Sequence, residues 1–142
     1  MYTQLPPRQL ALIAGGSYIV IFFAAIFANF VALEALKVAP LETVRDSALM
    51  VRLGIMAFLI TAVFDVIVAW ALNDLFPEHP FTRPSTYFRL MHAVLMGAAV
   101  FALPLVFSAT TAAEVTTQVT IFNTLWLIGL FFFGVHLLFL SR

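Results

Sequence analysis

Hydrophobic and polar positions alternate in long blocks along this chain, and four of the blocks are apolar runs covering residues 10–33, 53–72, 87–107 and 121–140. A helix of about 20 residues is roughly 30 Å long, which is the thickness of the hydrocarbon core of a bilayer. The polar connections are short, which favours antiparallel neighbours. The pattern therefore predicts an all-α polytopic membrane protein: one domain over residues 1–142, with four transmembrane helices in an up-and-down antiparallel bundle.

Prolines and charges define the first two connections. In the first one, Pro40 suits the first turn of a helix, and apolar residues then recur at helical spacing. The second connection, residues 73–84, holds three prolines, which argues against a continuous helix there. Ser85 and Thr86 are candidate N-caps for the third span.

Three further features concern the spans and the last connection. Pro104 predicts a kink near the end of the third span, because proline removes a backbone hydrogen bond. Asn29 predicts a hydrogen bond between helices inside the membrane. Residues 108–120 are small and polar and form the predicted third connection.

Composition agrees with this assignment. Of 142 residues, 63% are hydrophobic and only 10% are charged, which is too apolar for a soluble domain of this size. Seven basic and seven acidic side chains balance, so the chain lacks the basic footprint of a nucleic-acid-binding protein. The chain contains no cysteine, which excludes disulfides, thiolate metal sites and cysteine nucleophiles.

Four spans place both termini and the 73–84 loop on one side of the membrane. The cations near that side are Arg8, Arg83, Arg89 and Arg142. Those near the opposite side are Lys37, Arg45 and Arg52. The excess of one positive charge favours both termini in the cytoplasm.

Ionisable side chains inside the apolar runs are the candidate functional residues. Asp65 lies within the second run, where an ionised carboxylate costs at least about 2.5–3.5 kcal/mol and needs a partner. At helical rise, His92 and His136 come to a similar depth in the same leaflet, and Arg89 is slightly shallower. These four residues are therefore predicted to form one intramembrane cluster beneath the 73–84 loop, with an Asp65–Arg89 ion pair.

Helical spacing orients the third span. Four of its residues follow one another at intervals of four, three and four positions, which places them on one face. They are Ser85, Arg89, His92 and Met96. This face is predicted to point into the bundle.

Five segments carry a resemblance to a known family: G-x-x-Y-I at 15–19, VRLGI at 51–55, FDVIVAW at 64–70, YFRLMHAVLMG at 87–97 and FFFGVHLLFL at 131–140. In order and spacing they resemble the bacterial membrane-protein family catalogued as domain of unknown function 4386. The resemblance implies a multi-pass protein of the bacterial inner (plasma) membrane. It also implies that Arg52, Asp65, Arg89 and His136 match polar positions of the family pattern.

The resemblance carries one departure. Members of that family usually continue with two further helices after the segment that resembles residues 131–140, whereas this chain stops at Arg142. The two helices are then lost, supplied by a partner, or outside this sequence.

Three functional hypotheses follow from the cluster. In the first, the protein is a structural, accessory or assembly protein embedded in membrane lipid, as a homo-oligomer or a subunit of a larger complex, and the cluster fixes helix register. In the second, the cluster of Asp65, Arg89, His92 and His136 binds or processes a lipid, isoprenoid or quinone, with Arg89 holding an anion or carbonyl and Asp65 exchanging protons with a histidine. In the third, His92 and His136 are axial ligands of a b-type haem.

Sequence motifs do not point to an enzyme. The chain has no Gly-rich phosphate loop, no His-x-x-x-His or Glu-x-x-His metal spacing and no serine-nucleophile motif. We therefore expect no metal and, apart from the haem alternative, no cofactor.

Overall fold

The structure is a computed structural model that describes residues 5–141, so Arg142, counted above among the cations, lies outside the described residues. Its helices are α1 (Pro7–Val38), α2 (Pro40–Asp46), α3 (Ala48–Leu75), α4 (Thr82–Ser108) and α5 (Ala112–Leu140). All of them except the short α2 are long and apolar enough to cross a membrane. The predicted all-helical membrane bundle with four spans is confirmed.

Successive spans are neighbours in space. Helix α1 packs on α3, α3 on α4, and α4 on α5. Side chains from the first half of α1, the first half of α4 and the second half of α3 meet in one cluster, as expected when the spans alternate in direction. The main contacts of α5 with the N-terminal region are made by Glu34–Val38 and α2, at the end of the bundle away from the loop 76–81.

Helices α4 and α5 begin earlier in the sequence than the third and fourth apolar runs. Helix α5 starts inside the predicted third connection with a capping box, in which the Thr111 hydroxyl accepts from the Glu114 N–H at 3.3 Å and the Glu114 carboxylate accepts from the Thr111 N–H at 3.3 Å. The two caps predicted for the third span are wrong. Helix α4 already begins at Thr82, whose hydroxyl donates to the Phe76 carbonyl at 2.7 Å and ties the helix start to the loop.

Prolines shape the helix ends as the sequence indicates. Pro40 opens α2, and Val44 on that helix is buried. The regular part of α4 ends at Val100, and the segment Leu103–Ser108 that contains Pro104 is wound as a 3₁₀-helix. The helix type therefore changes close to Pro104, and the kink predicted there stays a prediction.

Helix α1 is irregular in its second half, where Phe27–Leu33 is wound as a π-helix. Asn29 donates from its side-chain amide to the Ala25 carbonyl of its own helix at 2.9 Å, so the predicted bond to another helix is wrong. The same segment brings Ala32 against Gly54 of α3, and a Cβ atom on Gly54 would collide with the Cβ of Ala32. Glycine at position 54 allows the two backbones to approach.

The half of the bundle near α2 has an apolar interior. Its centre is an aromatic group in which the Phe58 ring of α3 lies 4.7 Å from Phe122 and 5.1 Å from Trp126, both on α5. Phe122 and Trp126 are 5.4 Å apart. These rings join α3 to α5 across the bundle.

Candidate functional site

Arg89 is the centre of the polar half of the bundle, and its side chain is only 1% exposed. Its Nη2 donates to the Asp65 carboxylate on α3 at 2.5 Å. Its Nη1 lies 2.6 Å from the Tyr18 hydroxyl on α1 and 3.2 Å from Nε2 of His136 on α5. A single side chain of α4 therefore binds all three other spans.

The inward face of α4 explains this position. The residues of the predicted polar face, Ser85, Arg89, His92 and Met96, are all buried, with exposures between 1% and 4%. Because a helix advances by 3.6 residues per turn, these spacings leave them on one side. The predicted orientation of this face is confirmed.

Hydrogen bonds define the state of His136. Its Nδ1 lies 3.0 Å from the carbonyl oxygen of Ser85, and a carbonyl can only accept, so Nδ1 carries the proton. Nε2 is then the acceptor for the Arg89 guanidinium. The Ser85 hydroxyl in turn lies 3.2 Å from the His136 carbonyl and donates to it. A neutral imidazole thus connects α4 to α5 by reciprocal bonds.

Asp65 supplies the negative charge. One carboxylate oxygen accepts from Arg89, and the other lies 3.6 Å from Nε2 of His92, beyond an ordinary hydrogen bond. The carboxylate is 3% exposed at the side chain, so both members of the ion pair are shielded from lipid. One acid and one guanidinium cancel, which leaves no net charge in the cluster when both histidines are neutral.

Two aromatic rings cover the guanidinium. Its carbon lies 4.9 Å from the centroid of the Tyr18 ring and 5.3 Å from that of Phe133, distances at which a cation is attracted to a π face. The Phe133 ring also packs against His92 at 5.1 Å and His136 at 5.7 Å. Two aromatic rings therefore pack against the charge in addition to its hydrogen-bond partners.

Two buried nitrogen atoms of the cluster have no hydrogen-bond partner among the described residues: Nε of Arg89 and Nδ1 of His92. The second one faces α5 at Gly129, where a Cβ atom would lie 3.3 Å from it. Hydrogen bonds therefore engage both ring nitrogens of His136 and one oxygen of Asp65, whereas Nε of Arg89 and Nδ1 of His92 stay unpaired.

The structure brings together all four residues that the sequence singled out, and the Asp65–Arg89 contact is confirmed; whether they bind a ligand stays a prediction. Two members of the cluster were missed. Tyr18 shares the depth of Asp65, which is a usable signal, whereas Phe133 is one of 16 phenylalanines. Ser85 was predicted on the inward face, but as a helix cap rather than as the partner of His136. His79 lies outside the cluster, exposed in the loop.

The residues do not fit a haem held by two histidines. Both ring nitrogens of His136 are engaged, with Ser85 and with Arg89, so neither is free to ligate iron. The Nε2 of His92 faces the Asp65 carboxylate. Over residues 5–141, no group of three or more His, Cys, Asp or Glu side chains is arranged to hold a metal ion.

Fold and site together define a polytopic helical membrane protein with a buried Asp/Arg/His cluster. Residues 13–142 match the family described as Domain of unknown function (DUF4386), and the chain belongs to that family, as the resemblance indicated. No curated protein and no solved structure gives a significant match.

Proposed function

We propose that this protein is a structural or accessory membrane protein whose Asp/Arg/His cluster locks the four spans into one arrangement. The observation that carries the proposal is the position of Arg89, which contacts α1, α3 and α5 from α4. In hydrocarbon the alternative to this pairing is an unpaired charge. The cluster therefore selects one helix register over the others.

A double-mutant cycle at Asp65 and Arg89 tests the lock. Asp65→Leu and Arg89→Met each leave a buried charge without its partner, and each should lower the free energy of unfolding in detergent by about 3–5 kcal/mol. The double variant should lose much less than the sum, because no charge remains. Arg83→Met, an exposed arginine on the same helix, is the matched control and should change little. Additive single effects would contradict the proposal.

The accessory role makes a separate claim about assembly. A homo-oligomer or a subunit of a larger complex migrates, after gentle solubilisation of native membranes, well above the 15.7 kDa of one chain and its micelle. Arg89→Met should reduce that assembly, because the surfaces presented to a partner depend on the helix arrangement. A monomer in native membranes would contradict the accessory role and leave the lock in place.

The proposed location is the bacterial inner membrane, with both termini in the cytoplasm. Four cations near the side of the termini against three near the opposite side support this orientation. Because Arg89 is buried in the bundle, the excess of one depends on its charge. Fusions at the C-terminus decide the orientation. A fluorescent protein there should fold and fluoresce, and a periplasmic phosphatase there should stay inactive; the reverse result would overturn the orientation.

A second candidate function is the binding of a lipid, isoprenoid or quinone head group at the same cluster. The buried and unpaired Nε of Arg89 and Nδ1 of His92 favour it, because a carbonyl or hydroxyl of such a molecule would satisfy them. A screen of these molecules for thermal stabilisation of the purified protein is the test. Stabilisation that disappears in Asp65→Asn would support the site, and no shift with any compound would exclude the classes screened.

A further inference from the structure

A groove of about 470 Å³ lies on the outside of the bundle between α3 and α4, away from the cluster. Helix α3 lines it with Val66, Trp70 and Asn73, and α4 lines it with Arg83, Tyr87 and Leu90. Of the three α3 residues, the polar one is the last, Asn73. Of the three α4 residues, the polar one is the first, Arg83, and α4 runs antiparallel to α3. Asn73 and Arg83 therefore meet at one end of the groove, and Val66 and Leu90 meet at the other.

The length of this gradient fits the outer part of a lipid leaflet. Seven residues separate Val66 from Asn73 and also Arg83 from Leu90, and seven residues of helix rise about 10 Å. The polar end adjoins the loop 76–81, where the chain leaves the spans. The residues that line the groove are therefore polar near the ends of the helices and apolar about 10 Å further along them.

Arg83 forms no ion pair within the described part of the protein. It is exposed, and it belongs to none of the ion pairs found over residues 5–141. It sits in the first turn of α4, where the positive end of the helix disfavours a cation and where no acidic residue compensates. An anion beside Arg83 would remove this conflict.

The neighbouring side chains suit the same ligand. Trp70 is 44% exposed and Tyr87 is 67% exposed, and neither makes a side-chain hydrogen bond to the described part of the chain. Tryptophan and tyrosine are enriched at the headgroup level of membranes, where the ring is apolar and its N–H or O–H stays hydrated. Asn73 uses one amide proton on Asp74, and the other makes no hydrogen bond to the described residues.

We propose that the groove between α3 and α4 binds an anionic phospholipid, with Arg83 on the phosphate, Trp70, Tyr87 and Asn73 around the headgroup, and one acyl chain along Val66 and Leu90. The charge of Arg83 and the polarity gradient select this occupant over a partner helix, which would place an apolar stripe against the whole groove. The proposal is independent of the Asp/Arg/His cluster.

Native mass spectrometry of the purified protein tests the proposal, with phosphatidylglycerol and phosphatidylcholine of identical acyl chains in competition. One lipid should be retained, with a preference for phosphatidylglycerol of roughly fivefold, the factor for one arginine at a charged surface. Arg83→Gln should abolish the preference. Arg45→Gln removes an exposed arginine at the opposite end of the bundle and should leave the preference unchanged.

Two further arms distinguish a bound phospholipid from an anion held by charge alone. Leu90→Trp fills the apolar end of the groove without a change of charge, and it should reduce retention of both lipids. Soluble glycerol 3-phosphate should compete poorly, because it lacks the acyl chain. Equal retention of the two lipids by the unmodified protein, a preference that survives Arg83→Gln, or full competition by glycerol 3-phosphate would each overturn the proposal.

Discussion

The two halves of this bundle hold the same helices together by opposite means. In the half near α2, the largest buried side chains are apolar, and the rings of Phe58, Phe122 and Trp126 join α3 to α5. In the half near the loop 76–81, the largest buried side chain is Arg89, and hydrogen bonds and one ion pair make the connection. Large hydrophobic side chains are exposed on the outside of both halves.

Apolar contacts and the buried ion pair specify different properties of the bundle. In lipid, apolar packing tolerates a small shift or rotation of a helix, because an aliphatic side chain finds similar surroundings in the acyl chains. A buried arginine does not tolerate it, because a shift leaves a charge unpaired in hydrocarbon. We therefore assign close packing to the apolar half and choice of register to the polar half.

Among substitutions that leave the Asp65–Arg89 ion pair intact, the largest effect is expected in the apolar half. Phe58→Ala removes a ring that is 1% exposed and packed on two other rings, and it should cost about 3 kcal/mol of unfolding free energy through lost packing and a cavity. Phe22→Ala is the control, because Phe22 is 59% exposed to the surroundings of the bundle. Equal losses for the two variants, measured by unfolding in detergent, would contradict the assigned core.

A smaller loss is expected where α1 and α3 approach each other. Gly54→Ala places a Cβ atom against the Cβ of Ala32, and relief requires the backbones to move apart, at about 2 kcal/mol. Gly16→Ala adds the same atom to α1 at a position with no heavy atom within 4 Å. Thermal unfolding of both variants decides the point: a loss confined to Gly54→Ala is expected, and an unchanged Gly54→Ala would mean that the helices are further apart.

The polar half can be weakened without a change of charge. Tyr18→Phe removes the hydroxyl that accepts from Arg89 and keeps the ring beside the guanidinium, so a loss of about 1 kcal/mol is expected. Tyr87→Phe, an exposed tyrosine on α4, is the control and should have no effect on unfolding. A loss from Tyr87→Phe as large as that from Tyr18→Phe would contradict the special role of the Arg89 contact.

The smallest effect on stability is expected for a substitution that contacts His92. Gly129→Ala brings a methyl group to 3.3 Å from Nδ1 of His92, so the imidazole must shift by a few tenths of an ångström, at below about 1 kcal/mol. The imidazole resonances of His92 should move in the NMR spectrum. Gly134→Ala has nothing within 4 Å and should leave them in place; a shift in Gly134→Ala instead would contradict the described packing.

Sequence reasoning reached the spans and the polar cluster because the bilayer limits both. A helix needs about 20 apolar residues to cross it, and a charge such as Asp65 must find a partner at its own depth. Reasoning from one sequence missed the members whose residue type is common in any membrane helix, such as Phe133. It also misplaced the start of α4, because the hydroxyl of Thr82 acts on the distant Phe76 carbonyl rather than on the helix itself.

The π-helical segment of α1 was also not predicted from the sequence. No proline or glycine lies in Phe27–Leu33 to indicate an irregular winding. The local sequence alone therefore does not explain it. Its close packing against Gly54 is a feature of the folded bundle, which a pattern along one helix does not contain.

The most direct test of the central claim is ¹⁵N NMR of the Arg89 guanidinium in lipid nanodiscs, assigned by comparison with Arg89→Lys. If Arg89 is held by Asp65, Tyr18 and His136, its Nη groups rotate slowly and give separate resonances that exchange slowly with water, and Asp65→Asn merges them. A guanidinium with averaged, rapidly exchanging resonances in the unmodified protein would contradict a buried lock at Arg89.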